Sequence, residues 1–413
     1  MNISTHTLSN GCRVLIRPTP YKQILSIVAT VEWGGRDDPP ELAGRTNLMS
    51  RLLTQGTETR SAFQIAEAME SIGGSIDAEC GHDWISVETQ TVEADWRQAV
   101  DLLSDCLFHS VFEPAEFEKE RALVQSEIRR RDDHKFAFAY RHFQRLFYRG
   151  HPYAITTEGE EETLAALERD SLLDLYSQAI RPDRMLLVAV GNVPESEFLG
   201  ELEKCFPQPS SSPALARIAP SLEPGAGRGE TQDIPRNFEQ GFVIVGYPGP
   251  LIGTDEGAAL RLACAVLGEG MSSRLFSRLR DRDHLAYQVG ASLAPRQLAS
   301  HLLLFIGTGP DTVDQACEGM IREAQGIVAE PPSPEELDRA LQYVLGKFLV
   351  GRQTNGSLAH FMSAYELLGL GWEWGEIFPD RIRAVKPSDI QDAARAFIQN
   401  PAIAIVRPTR PAE

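Results

Sequence analysis

A chain of 413 residues with 42% hydrophobic and 24% charged residues can bury a substantial core, which excludes disorder as its organising state. Its formal net charge is −18, and no basic stretch is long enough to neutralise phosphates, which excludes nucleic acid as a partner class. No apolar run reaches the ~18 residues of a membrane-spanning helix, so no membrane role is expected.

In chain order, residues 13–17 and 25–33 read as strands, followed by the polar turn "GGRDDPP". The next stretch, "GRTNLMSRLLTQGT" (44–57), reads as a helix. Leu42, Leu48, Met49, Leu52 and Leu53 fall near helical spacing and Gly56 stops it. In such a helix Asn47, Ser50 and Arg51 share one face. Residues 62–72 predict another helix, and 75–80 and 84–91 predict strands across the turn Gly81-His82-Asp83. Helices follow at 96–108, from Pro114 to about Arg131, at 137–148 and at 163–179, then an apolar strand at 185–191. Residues 207–237, rich in Pro, Ser, Gly and charge, read as a linker.

Beyond that linker the order of elements begins again. A strand at 242–247 leads to helices at 256–267 and 272–282, strands near 286–293 and 302–307, a helix at 312–328 and a charged helix at 335–350. "PAEFEKERALVQSEI" (114–128) and "PEELDRALQYVLGKF" (334–348) align with Pro, acidic and apolar positions in step. The expected fold is therefore α+β. Two homologous lobes, 1–206 and 239–413, each a mixed sheet packed against helices, are joined by the linker 207–238.

The run "GGRDDPPELAGRTNLMSRLLTQGT" resembles the start of the insulinase/pitrilysin family of zinc metallopeptidases, in its mitochondrial processing peptidase-like branch. That family carries an inverted His-x-x-Glu-His motif. Anchored on Gly56-Thr57, the resemblance puts Asn47 at the first His, Ser50 at the Glu and Arg51 at the second His. Zinc needs about three N, O or S ligands and an open position, and an amide and a guanidinium cannot supply them. Glu127, 76 residues after Arg51, falls where the family's distant glutamate ligand lies. On a helix so highly charged it also reads as part of a solvated face. The register implies an Arg51–Glu127 pair in place of the metal.

"LGEGMSSRLFSRLRDRDHLAYQVG" (267–290) is also similar to the family, which places an Arg and a Tyr seven residues apart there. Here they are Arg280 and Tyr287. The resemblance implies that this pair binds substrate and steadies a tetrahedral intermediate at a zinc in a facing lobe, where a guanidinium and a phenol act as oxyanion donors. The plainer reading is a surface Arg and a strand Tyr that only pack. "LGEGMSSRL" lacks the Gly-Lys-Ser/Thr of a phosphate loop, and the nine histidines include no pair at metal-ligand spacing. His151, in "GHPYAITTEGEEETL", resembles the family's His-Pro-Tyr packing turn.

The resemblance implies a zinc-free, non-catalytic subunit of a heterodimeric bacterial zinc peptidase, inactive by itself. A homologous zinc-bearing partner would hold the zinc, and this chain would complete the chamber for a peptide substrate. A homodimer is open to the isolated chain. The alternative is a scaffold or peptide-holding subunit with no part in proteolysis. Six cysteines with no Cys-x-x-Cys read as buried thiols of a reducing compartment. The start of the sequence shows neither signal nor transit features, so the expected location is the cytoplasm.

Overall fold

A computed structural model describes residues 3–208, 215–217 and 227–409. The chain forms two sheets covered by helices and divides into two compact units. Strands are β1 (Ser4–Thr7), β2 (Arg13–Arg17), β3 (Ile24–Val31), β4 (Ser75–Cys80), β5 (Ile85–Val92) and β6 (Met185–Val190), then β7 (Thr231–Arg236), β8 (Gly241–Gly249), β9 (Gln288–Ala294), β10 (Ser300–Thr308) and β11 (Ala402–Pro408).

The first sheet runs β1-β2-β6-β3-β5-β4 and the second β7-β11-β8-β10-β9. Apart from the added edge strand β1, the two orders are the same, with β7 to β11 standing for β2 to β6. The one parallel pairing in each, β2 with β6 and β7 with β11, also corresponds. The duplication expected from sequence is thus present in the topology.

The units are not contiguous in sequence. Unit 1 comprises 1–129, 155–219 and Gly351–Trp372, whereas unit 2 comprises Arg130–Ala154, 220–350 and 373–413. The lobes expected at 1–206 and 239–413 therefore exchange two segments of corresponding position. In unit 1 the helix Asn355–Leu367 lies on β3 and β6, where Leu358, Ala359 and Met362 pack with Val28, Leu186 and Val188. In unit 2 the helix Lys135–Phe147 lies on β8 and β11, where Phe138, Phe143 and Phe147 pack with Phe242, Ile244 and Ala404. Both faces of the central strands are thereby buried, which accounts for their unbroken apolar runs.

The expected linker is also shorter than 207–238. Its end forms β7, and its segment 215–217 is anchored to unit 1 by Arg217, which reaches the Asp37 carboxylate at 3.1 Å and the Asp83 carbonyl at 2.6 Å. Residues 209–214 and 218–226 lie outside the described residues. The expected helix at 163–179 is two helices, Glu161–Ala166 and Arg169–Ala179. The chain turns extended at Leu167, whose side chain enters the core and whose carbonyl accepts from Arg121.

Candidate functional site

The motif helix spans Arg45–Leu52. It begins at Gly44, where φ is +94° and a Cβ would come within 2.5 Å of the Glu158 carbonyl oxygen, so glycine is required there. Asp38 secures the first turn by accepting from the Thr46 amide at 2.9 Å and the Thr46 hydroxyl at 2.7 Å. Thr46 Oγ1 in turn accepts from the Trp33 indole at 3.3 Å. Burial pushes the Asp38 carboxyl up to about 6, against the opposing pull of the Thr46 hydrogen bonds and Arg45. Leu48, Met49, Leu52 and Leu53 enter the core of unit 1, which turns residues 47, 50 and 51 the other way.

Arg51 and Glu127 are joined. The guanidinium makes two bonds to the carboxylate, at 3.2 Å and 2.5 Å, in the fork geometry that favours arginine over lysine. Glu120, about two turns back on the Pro114–Asp133 helix, lies 3.7 Å from the same guanidinium. Burial raises the Glu120 carboxyl, and Arg51 pulls it back down. Ser50 is fully buried, and its hydroxyl donates to the Asn47 carbonyl at 2.8 Å. Asn47 is 8% exposed, and its Oδ1 is buried without a hydrogen-bond partner.

These residues do not fit zinc. The two positions that the resemblance sets against histidines hold an amide and a fixed cation, and that cation already occupies the Glu127 carboxylate. Among the described residues, no group of three or more His, Cys, Asp and Glu side chains could hold a metal ion.

The motif helix packs beside β4, the last strand of its sheet. A cleft of about 530 Å³ opens there, lined by Asn47, Ser50, Arg51, residues of β4, Glu120 and Glu158. Asp77 and Glu79 project from one face of β4 beside Glu88 of β5, which meets His360 at 2.5 Å. Sequence reasoning passed over Glu120, Asp77 and Glu79. The strand alternation that places Asp77 and Glu79 on one face was the available signal.

In unit 2, Arg280 and Tyr287 are both exposed, Tyr287 at 65%. Arg280 lies on Phe276–Arg282, a π-helical turn rather than the expected α-helix, closed by the Asp283 amide on the Arg278 carbonyl at 3.0 Å. Its guanidinium stacks over the Phe276 ring at 4.7 Å. Buried Leu279 and Leu285 hold the turn from below, and His284 supplies a left-handed residue at φ 55°. The Tyr287 amide donates to the Gly307 carbonyl at 2.9 Å, which fixes the residue at the mouth of β9.

Two family models match this chain in succession. Residues 13–161 match "Insulinase (Peptidase family M16)", and residues 166–344 match "Peptidase M16 inactive domain". The chain belongs to the insulinase family. An "uncharacterized zinc protease YmxG" of Bacillus subtilis is 27% identical over 409 residues, 98% of each chain. An uncharacterized zinc protease of Streptomyces coelicolor is 26% identical over 417 residues, covering 98% of this chain and 89% of that one. The fold matches the crystal structure of a protease from Helicobacter pylori with a TM-score of 0.92 at 20% identity, covering 98% of this chain and 99% of the other. It matches a peptidase M16 inactive domain from Pseudomonas fluorescens with a TM-score of 0.91 at 18% identity over the whole of both chains. This insulinase-family chain is therefore peptidase-like in fold, and its second half matches the family's inactive domain.

Proposed function

We propose that this chain is the zinc-free subunit of a heterodimeric metallopeptidase. Its homologous partner carries the zinc, and this chain completes the peptide chamber. The observation that carries the reading is the motif helix. It keeps its place beside the Pro114–Asp133 helix, while an Arg51–Glu127 fork occupies the register of the family's metal ligands. Exposed Arg280 and Tyr287, each held at the backbone by buried neighbours, support the second half of the reading. On this reading they donate to a peptide carbonyl at the partner's zinc, where charge develops during attack by water. Among the described residues β4 is the last strand of its sheet, which supports peptide binding, because an extended chain can pair along such an edge.

The test is reconstitution with a homologous subunit bearing an intact His-x-x-Glu-His. The expected result is no zinc in this chain alone by elemental analysis, one zinc per heterodimer, and peptide cleavage only by the pair. Stoichiometric zinc in this chain alone, or cleavage by it, would overturn the proposal.

A further inference from the structure

In unit 2 the loop between β9 and β10 carries Arg296, a half-buried guanidinium that pairs with no carboxylate among the described residues. Every other buried or half-buried arginine described in that unit has an Asp or Glu oxygen at 3.6 Å or less. Arg296 meets aromatic side chains instead. Its guanidinium lies 4.8 Å from the centre of the Tyr153 ring and 5.8 Å from that of Tyr148. Ring faces attract a cation but bring no counter-charge. A guanidinium has five N–H donors. Here Nη2 donates to the Tyr140 hydroxyl at 3.2 Å, and Nε is buried without an acceptor.

The seat beneath the guanidinium is fixed. The Tyr148 hydroxyl donates its one proton to the Ala299 carbonyl at 3.1 Å, so its 2.8 Å contact with His301 is donated by Nδ1–H. That leaves His301 Nε2 as an acceptor, 3.5 Å from the Tyr140 hydroxyl. Tyr140 accepts from Arg296 and keeps its own proton for that ring nitrogen. Leu298, two residues after Arg296, donates its amide to the Tyr153 hydroxyl at 3.2 Å, which ties the loop to the rings. His301 is buried and held as the neutral imidazole. Within this cluster of Tyr140, Tyr148, Tyr153 and His301, Arg296 is the one charge.

We infer that Arg296 is a binding site for a carboxylate that this chain does not itself supply. The planar guanidinium, held by two rings and one hydroxyl, offers its remaining N–H groups as a fork that matches two carboxylate oxygens. One cation backed by a neutral imidazole balances a singly charged anion and leaves a phosphate dianion half neutralised. The ligand class is therefore a monocarboxylate, whether a free acid, a chain end or an acidic side chain. Its arrival is felt at His301 through Tyr140, because a carboxylate on the fork offsets the positive field that the guanidinium places on the ring. The inference goes beyond the peptide-chamber reading and does not depend on it.

The test uses the full chain labelled with nitrogen-15 histidine and follows the His301 ring resonances, assigned by their loss in His301→Gln. Three carboxylate probes are titrated at constant pH and ionic strength. They are acetate, acetyl-trialanine with a free C-terminus, and acetyl-Ala-Glu-Ala-amide, and the tightest of them identifies the source of the carboxylate. Acetyl-trialanine amide and inorganic phosphate are the controls. The expected result is a saturable shift with carboxylates, none with the amide, and phosphate weaker by about 10-fold. Arg296→Met keeps an apolar stem against the rings and should abolish the response. Arg296→Lys keeps the charge without the fork and should weaken binding by about 10-fold. In Tyr140→Phe the probe should still raise the thermal midpoint, while the His301 response is lost. No shift with any carboxylate, an unchanged response in Arg296→Met or Arg296→Lys, or phosphate binding as tight as carboxylate would each overturn the inference. These readouts involve no cleavage, no zinc and no partner. Their failure is thus distinct from failure of the heterodimer to assemble or cleave.

Discussion

Arg51 and Glu127 keep 27% and 36% of their side chains exposed, and this sets what their contact contributes. A pair open to water and salt is worth about 1 kcal/mol or less, whereas breaking a fully buried pair costs about 3–5 kcal/mol. Glu127→Ala should therefore lower the unfolding free energy by only about 1 kcal/mol in a denaturant titration, because Glu120 remains near the guanidinium. A loss above about 3 kcal/mol would show that the pair is a structural keystone. Reversion to the family motif separates charge from chemistry. Arg51→His alone should bind no zinc, since Asn47 and Ser50 stay wrong. Asn47→His with Ser50→Glu and Arg51→His frees Glu127 and should restore stoichiometric zinc by elemental analysis. His301 offers a pH-dependent check in unit 2. Burial, helped by the Arg296 guanidinium, lowers its pKa from 6.5 to about 3, and its Nδ1 meets the Tyr148 hydroxyl at 2.8 Å. A depressed folded pKa means that its contribution is present above about pH 6.5 and is lost as pH falls toward the folded value. The stability difference between wild type and His301→Gln should accordingly shrink by up to ~1.4 kcal/mol per pH unit between about pH 6 and 4. A difference that stays constant over that range would place a charged imidazole in the fold.

At the scale of elements, the exchanged helices make a claim that a pair of substitutions can test. A Cβ on Gly246 of β8 would lie 2.1 Å from the Phe143 ring on the Lys135–Phe147 helix. Gly246→Ala should therefore destabilise by about 1–3 kcal/mol through overpacking. Adding Phe143→Leu should cost less than the sum of the two single changes, since the ring that clashes is gone. Strict additivity would mean that the helix does not press on β8. This packing marks where the sequence stopped being legible. The apolar runs of β3, β6 and β8 and the amphipathic helices declare themselves, as does the Arg51–Glu127 register. Amphipathicity says which face of a helix is buried but not against which sheet, so the exchange of 130–154 and 351–372 left no local trace. Strand β7 was absorbed into the linker because "TQDIPR" is polar and contains Pro235. Its burial pattern, with only Ile234 half-buried, is that of an edge strand. At 276–282 the helical period was visible, but its widening to a π turn depends on the tertiary hold on Leu279 and Leu285.

At the scale of the whole molecule, one duplicated sheet topology carries two different endowments. Unit 1 holds the Arg51–Glu127 fork beside a cleft rich in carboxylates. Unit 2 retains Arg280 and Tyr287, exposed on a π turn and a strand mouth. In the proposed heterodimer those two side chains act at the partner's zinc, and their contribution is confined to the transition state. Losing such an interaction lowers kcat and kcat/KM together and leaves substrate affinity largely unchanged. The most direct measurement is steady-state cleavage by the reconstituted heterodimer carrying Tyr287→Phe, with assembly checked by sedimentation. The account predicts normal assembly, unchanged peptide affinity and a loss of about 10²–10³ in kcat, the usual cost of removing one oxyanion donor. Cleavage at the wild-type rate by Tyr287→Phe, and again by Arg280→Ala, would contradict it and leave this chain a scaffold.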